Sequence, residues 1–136
     1  MKARVVLGGR ARGAVLRVDE PLSFWGGVDA TTGCLCDPRS PLCGTPLAGR
    51  VLMMAEPVGS SSSSAIMLEL MARGLQPAAI VMGRVDAIVG LGVIVAGEMG
   101  YGTIPVLELD PAAQAAFAQG APVEIGLEGD INVVAD

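Results

Sequence analysis

Apolar residues along this chain come in short blocks divided by glycine and proline. Residues 4–7 and 14–18 read as two short strands. The turn-rich Gly8-Gly9-Arg10-Ala11-Arg12-Gly13 between them predicts a loop or hairpin. From Pro21 to Gly49 the glycine and proline content predicts ordered, irregular loop structure without a helix. Residues 50–54 predict a buried strand. Ile66, Met67, Leu70 and Met71 then form an i, i+1, i+4, i+5 stripe, which predicts a helix beginning in the preceding serines. Gly74 is placed to end that helix. Ala78-Ala79-Ile80-Val81-Met82 predicts the next strand, so that strand, helix and strand form a parallel, right-handed βαβ unit. Ala87–Val95 and Ile104–Leu109 read as further strands around glycine turns. Asp110-Pro111 opens a second helix running through Phe117, with Asp110 as N-cap, Pro111 at N1 and Gly120 as the stop. Val123–Leu127 reads as a last strand. Many short strands and two helices predict one compact α/β domain over residues 1–136, with a barrel-like sheet.

Composition narrows the function. Hydrophobic residues make up 51% of the 136 residues and charged residues 17%, which excludes disorder. With net charge −5 and no basic cluster, nucleic-acid binding is not expected. The longest apolar-rich stretch, Ala87 to Gly97, is too short to span a bilayer, so no membrane partner is expected. Residues 1–7 run directly into strand pattern without a signal-peptide layout, which predicts a cytoplasmic protein. Its three cysteines then argue against a disulfide framework. Histidine is absent from the chain. That removes a Ser-His-Asp triad, a Cys-His pair and histidine-based metal sites.

The most informative stretch is Gly59-Ser60-Ser61-Ser62-Ser63-Ser64. One reading is a flexible polar loop. The other is an anion or oxyanion cradle, because serines at a helix N-terminus offer hydroxyls and unpaired backbone N–H groups. It lacks the Gly-Lys-Ser/Thr ending of a phosphate-binding loop. A serine acting as base would need N–H donors and a neighbouring positive charge to stabilise its alkoxide. Cys34, Cys36 and Cys43 match no standard metal-site spacing and lack a fourth ligand, so local packing is their expected role. Phe24-Trp25-Gly26-Gly27 gathers two of the four aromatics beside glycines, as either a pocket wall or an ordinary loop anchor. Arg10 and Arg12 on a glycine loop suit a carboxylate or phosphate, or plain solvation.

Gly8-Gly9-Arg10, Pro21-Leu22-Ser23-Phe24-Trp25-Gly26-Gly27-Val28-Asp29, Thr32-Gly33, Leu47-Ala48-Gly49-Arg50, Gly59-Ser60-Ser61 and Pro77-Ala78-Ala79-Ile80 occur in this order. Together they resemble the small subunit of aconitase X, the two-chain branch of the aconitase superfamily. The resemblance implies a swivel-type β/β/α domain that closes over a large subunit. That larger chain would hold an iron–sulfur cluster or iron, and this chain no metal. It also implies a substrate site between the two chains. In conventional aconitases the corresponding segment is Gly-Ser-Ser-Arg-Glu-His, whose first serine is the base. Ser60 would then be the catalytic proton acceptor, with Gly59, Ser61, Ser62, Arg10, Phe24 and Gly26 as substrate contacts. Ser62 stands where those enzymes carry a carboxylate-gripping arginine. The anchoring cation is then expected from Arg10, Arg12 or the large subunit.

The resemblance implies a hydro-lyase active only as a heterodimer. The expected substrate is cis-3-hydroxy-L-proline, dehydrated to pyrroline-2-carboxylate. Mevalonate 5-phosphate is the alternative. Two readings from other classes stand beside it: a regulatory domain that binds an anion or metabolite through the serine loop, and a structural domain that makes its contact through the Phe24-Trp25 loop.

Overall fold

The structure is a computed structural model and describes residues 1–19, 22, 24–55, 62–84 and 87–134. In chain order the elements are β1 (Arg4–Leu7), β2 (Ala11–Val18), the single turn α1 (Phe24–Gly27), β3 (Val28–Asp29), β4 (Cys34–Leu35), β5 (Val51–Met54), α2 (Ser62–Ala72), β6 (Ala79–Met82), α3 (Ala87–Glu98), β7 (Val106–Glu108), α4 (Pro111–Gln114), β8 (Pro122–Ile125) and β9 (Ile131–Val133). Seven strands form one sheet in the order β1-β7-β6-β5-β2-β8-β9, and β3 and β4 make a separate hairpin. The four central strands β7, β6, β5 and β2 run parallel. β1 and β8 flank them antiparallel, and β9 pairs antiparallel with β8 at the outer edge.

The sheet curls until its two edges meet. Lys2 bridges Asp130, the Ala3 N–H donates to the Gly129 carbonyl at 2.9 Å, and the Ile131 N–H donates to the Met1 carbonyl at 2.8 Å. The architecture is therefore the expected mixed α/β fold with a barrel-like sheet.

β5 and β6 are buried at every position, because both faces of the sheet are covered. Alternation divides their side chains between two cores. Val51, Met53, Ala79 and Val81 point into the curl with Val15, Leu107 and Ile125. Leu52, Met54, Ile80 and Met82 face outward against Met67 and Leu70 of α2 and Val93 and Ala96 of α3. The α2 stripe read from the sequence, Ile66, Met67, Leu70 and Met71, is buried as expected. Gly74 sits at φ +71° as C′ residue. The Gly74 N–H bonds the Met71 carbonyl at 3.2 Å and the Leu75 N–H bonds the Leu70 carbonyl at 2.9 Å, which closes the helix in a Schellman motif.

The structure corrects the expected elements in several places. Ala87–Val95 is not a strand but most of α3, a helix of 12 residues. A short apolar run carries no decisive period to separate strand from helix. Residues 8–13 do not form a hairpin turn between paired strands. β2 begins at Ala11, where it pairs with β8, while β1 lies at the far side of the sheet against β7. The 21–49 segment contains one helical turn, α1, because Gly26 supplies the positive φ of +87° that ends it. The helix expected through Phe117 stops after four residues, at Gln114. Its start is as expected, with the Asp110 carboxylate accepting the Ala112 N–H at 2.9 Å. A further strand, β9, follows the one expected near Val123. The two long helices among the described residues are thus α2 and α3.

Candidate active site

The parallel strands β2, β5, β6 and β7 end together at Val18, Met54, Met82 and Glu108, the edge where open α/β sheets bind ligands. The chain leaving β5 at this edge leads through residues 56–61 into α2. Gly59, Ser60 and Ser61 lie outside the described residues. Ser62 is the first residue of α2, so the serine run meets a helix N-terminus as expected. The first-turn N–H groups of an 11-residue helix have no intrahelical partner and carry the positive end of its dipole.

α3 braces that turn. A Cβ on Gly92 would lie 2.7 Å from the Ser64 carbonyl oxygen and 3.1 Å from the Met67 Cβ, so only glycine lets the two helices approach this closely. α1 also packs against α2. Next to α1 a pocket of about 390 Å³ opens, walled by Val18, Leu22, Gly27 and Leu35 and edged by Asp37, Arg39 and Ser40. Arg39 grips Asp37 with both ends of its fork, at 3.1 and 3.2 Å. Hydrogen bonds from the Arg39 side chain and backbone hold the Asp37 carboxyl below its ordinary range.

Arg10 and Arg12 are not brought to this edge. Arg10 lies eight residues before Val18 (18 − 10), on the order of 25 Å away along an extended strand. Both arginines line a separate cleft of about 420 Å³ with Glu124, Asp130 and Asn132. Arg12 is paired there with Glu124 at 3.2 Å. The arginine that does stand at the strand ends is Arg84, which the sequence reading did not single out. It follows β6 directly, its N–H donates to the Ala55 carbonyl at 3.0 Å, and its exposed side chain has no partner among the described residues.

A second residue the reading missed is Gln114. It is buried, and its Nε2 donates to the Met54 and Leu109 carbonyls, both at 2.9 Å. The Met54 carbonyl also accepts the Gly83 N–H at 2.9 Å. Gln114 thereby fixes the last residue of β5, from which the serine loop departs. A glutamine in an alanine-rich stretch carries no sequence signal for this role.

Among the described residues no group of three His, Cys, Asp or Glu side chains converges as a metal site. Cys34, Cys36 and Cys43 are free thiols. These residues therefore do not fit a resident iron centre.

A family model of the aconitase X swivel domain matches residues 1–133. The chain belongs to that family. It is 39% identical over 97 residues to the phosphomevalonate dehydratase small subunit of Thermococcus onnurineus, covering 71% of this chain and 75% of that one. It is 40% identical over 103 residues to the cis-3-hydroxy-L-proline dehydratase of Pseudomonas aeruginosa, covering 76% of this chain but 18% of that longer one. The fold matches a chain of the crystal structure of Thermococcus kodakaraensis aconitase X with a TM-score of 0.85 and 30% identity, over 98% of this chain and 97% of that one. Relatives of this swivel domain thus occur both as separate small subunits and as about a fifth of a longer dehydratase chain. Among the described residues no helix is long and apolar enough to cross a membrane.

Proposed function

We propose that this swivel-domain chain is the small subunit of a heterodimeric hydro-lyase that dehydrates cis-3-hydroxy-L-proline to pyrroline-2-carboxylate. Ser60 removes the proton from the carbon bearing the carboxylate, and the hydroxyl on the neighbouring carbon leaves as water. The resulting enamine tautomerises to the product. The N-terminal N–H groups of α2 stabilise the serine alkoxide and the developing negative charge. Gly59, Ser61 and Ser62 contact the substrate beside it, with Phe24 and Gly26 on α1 as the adjoining wall. An iron site, in this reading, belongs to the large subunit.

The observation that carries the proposal is the seating of α2. The serine run enters a long helix at the carboxyl ends of the parallel strands, with α1 and a pocket beside it. Arg84 replaces the cation expected from Arg10 or Arg12 and anchors the substrate carboxylate from the same edge.

Charge favours hydroxyproline over a phosphorylated substrate. At this edge the described cations are Arg17, already paired with Asp19, Arg39, already paired with Asp37, and Arg84. One free guanidinium suits a single carboxylate. Mevalonate 5-phosphate is the second reading. It is favoured by the end-to-end match to a chain of Thermococcus kodakaraensis aconitase X and by the separate small subunits among the relatives.

The experiment is co-expression with the large-subunit gene from the same genome, followed by assay of both substrates. Turnover of cis-3-hydroxy-L-proline alone supports the proposal, and turnover of mevalonate 5-phosphate alone replaces it with the second reading. Ser60→Ala is expected to keep the assembled complex and lose roughly 10²–10⁴-fold in turnover. Full activity in that variant removes Ser60 from the mechanism. Tight binding of substrate-like acids by the small chain alone, with no activity in the complex, favours the regulatory-domain alternative.

A further inference from the structure

The excursion between α1 and β5 carries three thiols that the dehydratase reading does not use. Their backbone pairing is specific. The Leu47 N–H donates to the Gly33 carbonyl at 2.8 Å, Cys34 bridges Pro46, and the Leu35 N–H donates to the Thr45 carbonyl at 2.9 Å. The Gly44 N–H then donates to the Leu35 carbonyl at 2.6 Å. Gly44 and Thr45 thus both oppose Leu35, a β-bulge whose first residue, Gly44, takes φ +92°. Beyond the bulge the next opposed residues are Cys36 and Cys43. They close the loop 37–42, which is held by the Ser40 N–H on the Asp37 carbonyl at 3.0 Å and the Cys43 N–H on the Ser40 carbonyl at 3.2 Å.

Directly opposed residues of an antiparallel pair have Cα atoms about 4.5–5.5 Å apart and side chains on one face. A disulfide spans Cα separations of about 4.4–6.8 Å. Cys34 sits on the other side of the bulge, with its thiol directed to the Thr32 carbonyl at 3.8 Å. Cys36 is half-buried with its thiol on the Gly26 carbonyl at 3.5 Å, whereas Cys43 is exposed. Burial first, then the charges of Asp29, Cys43 and Asp37, pushes the Cys36 thiol above its ordinary value. The two thiols therefore differ in access.

We propose that Cys36 and Cys43 form a dithiol–disulfide pair that fixes the rim of the pocket beside α1. The exposed Cys43 thiolate attacks one sulfur of a low-molecular-weight disulfide and expels its other half as a thiol. The Cys36 thiolate then attacks the Cys43 sulfur and expels the second half. The protein loses two protons and two electrons, and the small disulfide is reduced to two thiols. Closure ties the loop that carries Asp37, Arg39 and Ser40, the polar edge of the pocket. It also withdraws the Cys36 S–H from the Gly26 carbonyl on α1. This inference rests on the hairpin alone and does not depend on the substrate assignment.

The test exposes the full chain to oxidised glutathione, blocks remaining thiols by alkylation and maps tryptic peptides. Cleavage after Arg39 separates Cys34 and Cys36 from Cys43, so a bridge to Cys43 leaves two peptides joined at a mass lower by two hydrogens. Wild type and Cys34→Ser are expected to give the joined peptides. Cys36→Ser is expected to lose them and to retain a glutathione adduct on Cys43, and Cys43→Ser to lose both. Joined peptides that persist in Cys36→Ser, a bridge between Cys34 and Cys36, or only glutathione adducts in wild type overturn the proposal. Fragmentation of the joined wild-type peptides between Cys34 and Cys36 assigns the bridge to Cys36 or to Cys34 without depending on any variant folding.

Discussion

Two arginines separated by the fold show how a residue's meaning changes between sequence and structure. Arg10 lies in a glycine-rich motif and looked like a ligand contact, yet it opens onto the cleft at the start of β2. Arg84 has no motif around it, yet hydrogen bonding of Gly83 to Met54 and of Arg84 to Ala55 carries it to the site edge. Arg84→Ala is therefore expected to raise the KM of the assembled enzyme roughly ten- to a hundred-fold with a smaller change in kcat, the pattern of lost ground-state binding to a charged group. Steady-state kinetics checks this, with partial recovery expected in Arg84→Lys. Gln114→Leu leaves the Leu109 carbonyl, and one lone pair of the Met54 carbonyl, without their buried donor. It is expected to destabilise the chain by about 1–3 kcal/mol in urea unfolding. At the thiols, the raised Cys36 leaves little thiolate at neutral pH. Iodoacetamide is expected to modify the exposed Cys43 well before the half-buried Cys36, with the gap narrowing as rising pH ionises Cys36, as peptide mapping over pH reads directly.

At the scale of elements, α2 was legible and α3 was not. α2 has a serine start, a one-sided apolar stripe, an exposed Glu69–Arg73 pair at 3.1 Å and a glycine stop, so each local signal agrees with the next. α3 is apolar on every side. Val93 and Ala96 are buried against α2 while Leu91 and Ile94 stand exposed on the opposite face, so its pattern has no helical period to read. Its glycines suggested strand breaks, whereas Gly92 serves close helix contact. Gly92→Ala is expected to force α3 away from the first turn of α2 and to cost about 1–3 kcal/mol. A lowered thermal midpoint checks this. A loss of turnover larger than the stability loss explains would tie α3 to the seating of the serine loop.

At the scale of the whole molecule, the barrel-like sheet closes through contacts 128 positions apart, Lys2 with Asp130 (130 − 2). No local pattern predicts such a pairing. Curling the sheet gives β5 and β6 two buried faces and leaves their carboxyl ends open as one edge. That edge gathers the serine helix, α1 and the pocket, with no convergent metal donors among the described residues. The proposed chemistry takes its partner from the large subunit, and the co-expression assay decides it at this scale.

By itself the sequence determined the family, the strand–helix–strand unit and the meeting of the serine run with a helix N-terminus. Those features rest on local order: residue spacing, capping and short-range apolar periodicity. The tertiary structure alone decided which arginine stands at the carboxyl ends of the parallel strands, that α3 is a helix bracing α2, and that Cys36 follows a bulge in the hairpin that ends near Cys43. Each of these depends on register and close approach between segments distant in sequence or offset by one residue, and such offsets leave no mark in the pattern of apolar and polar positions.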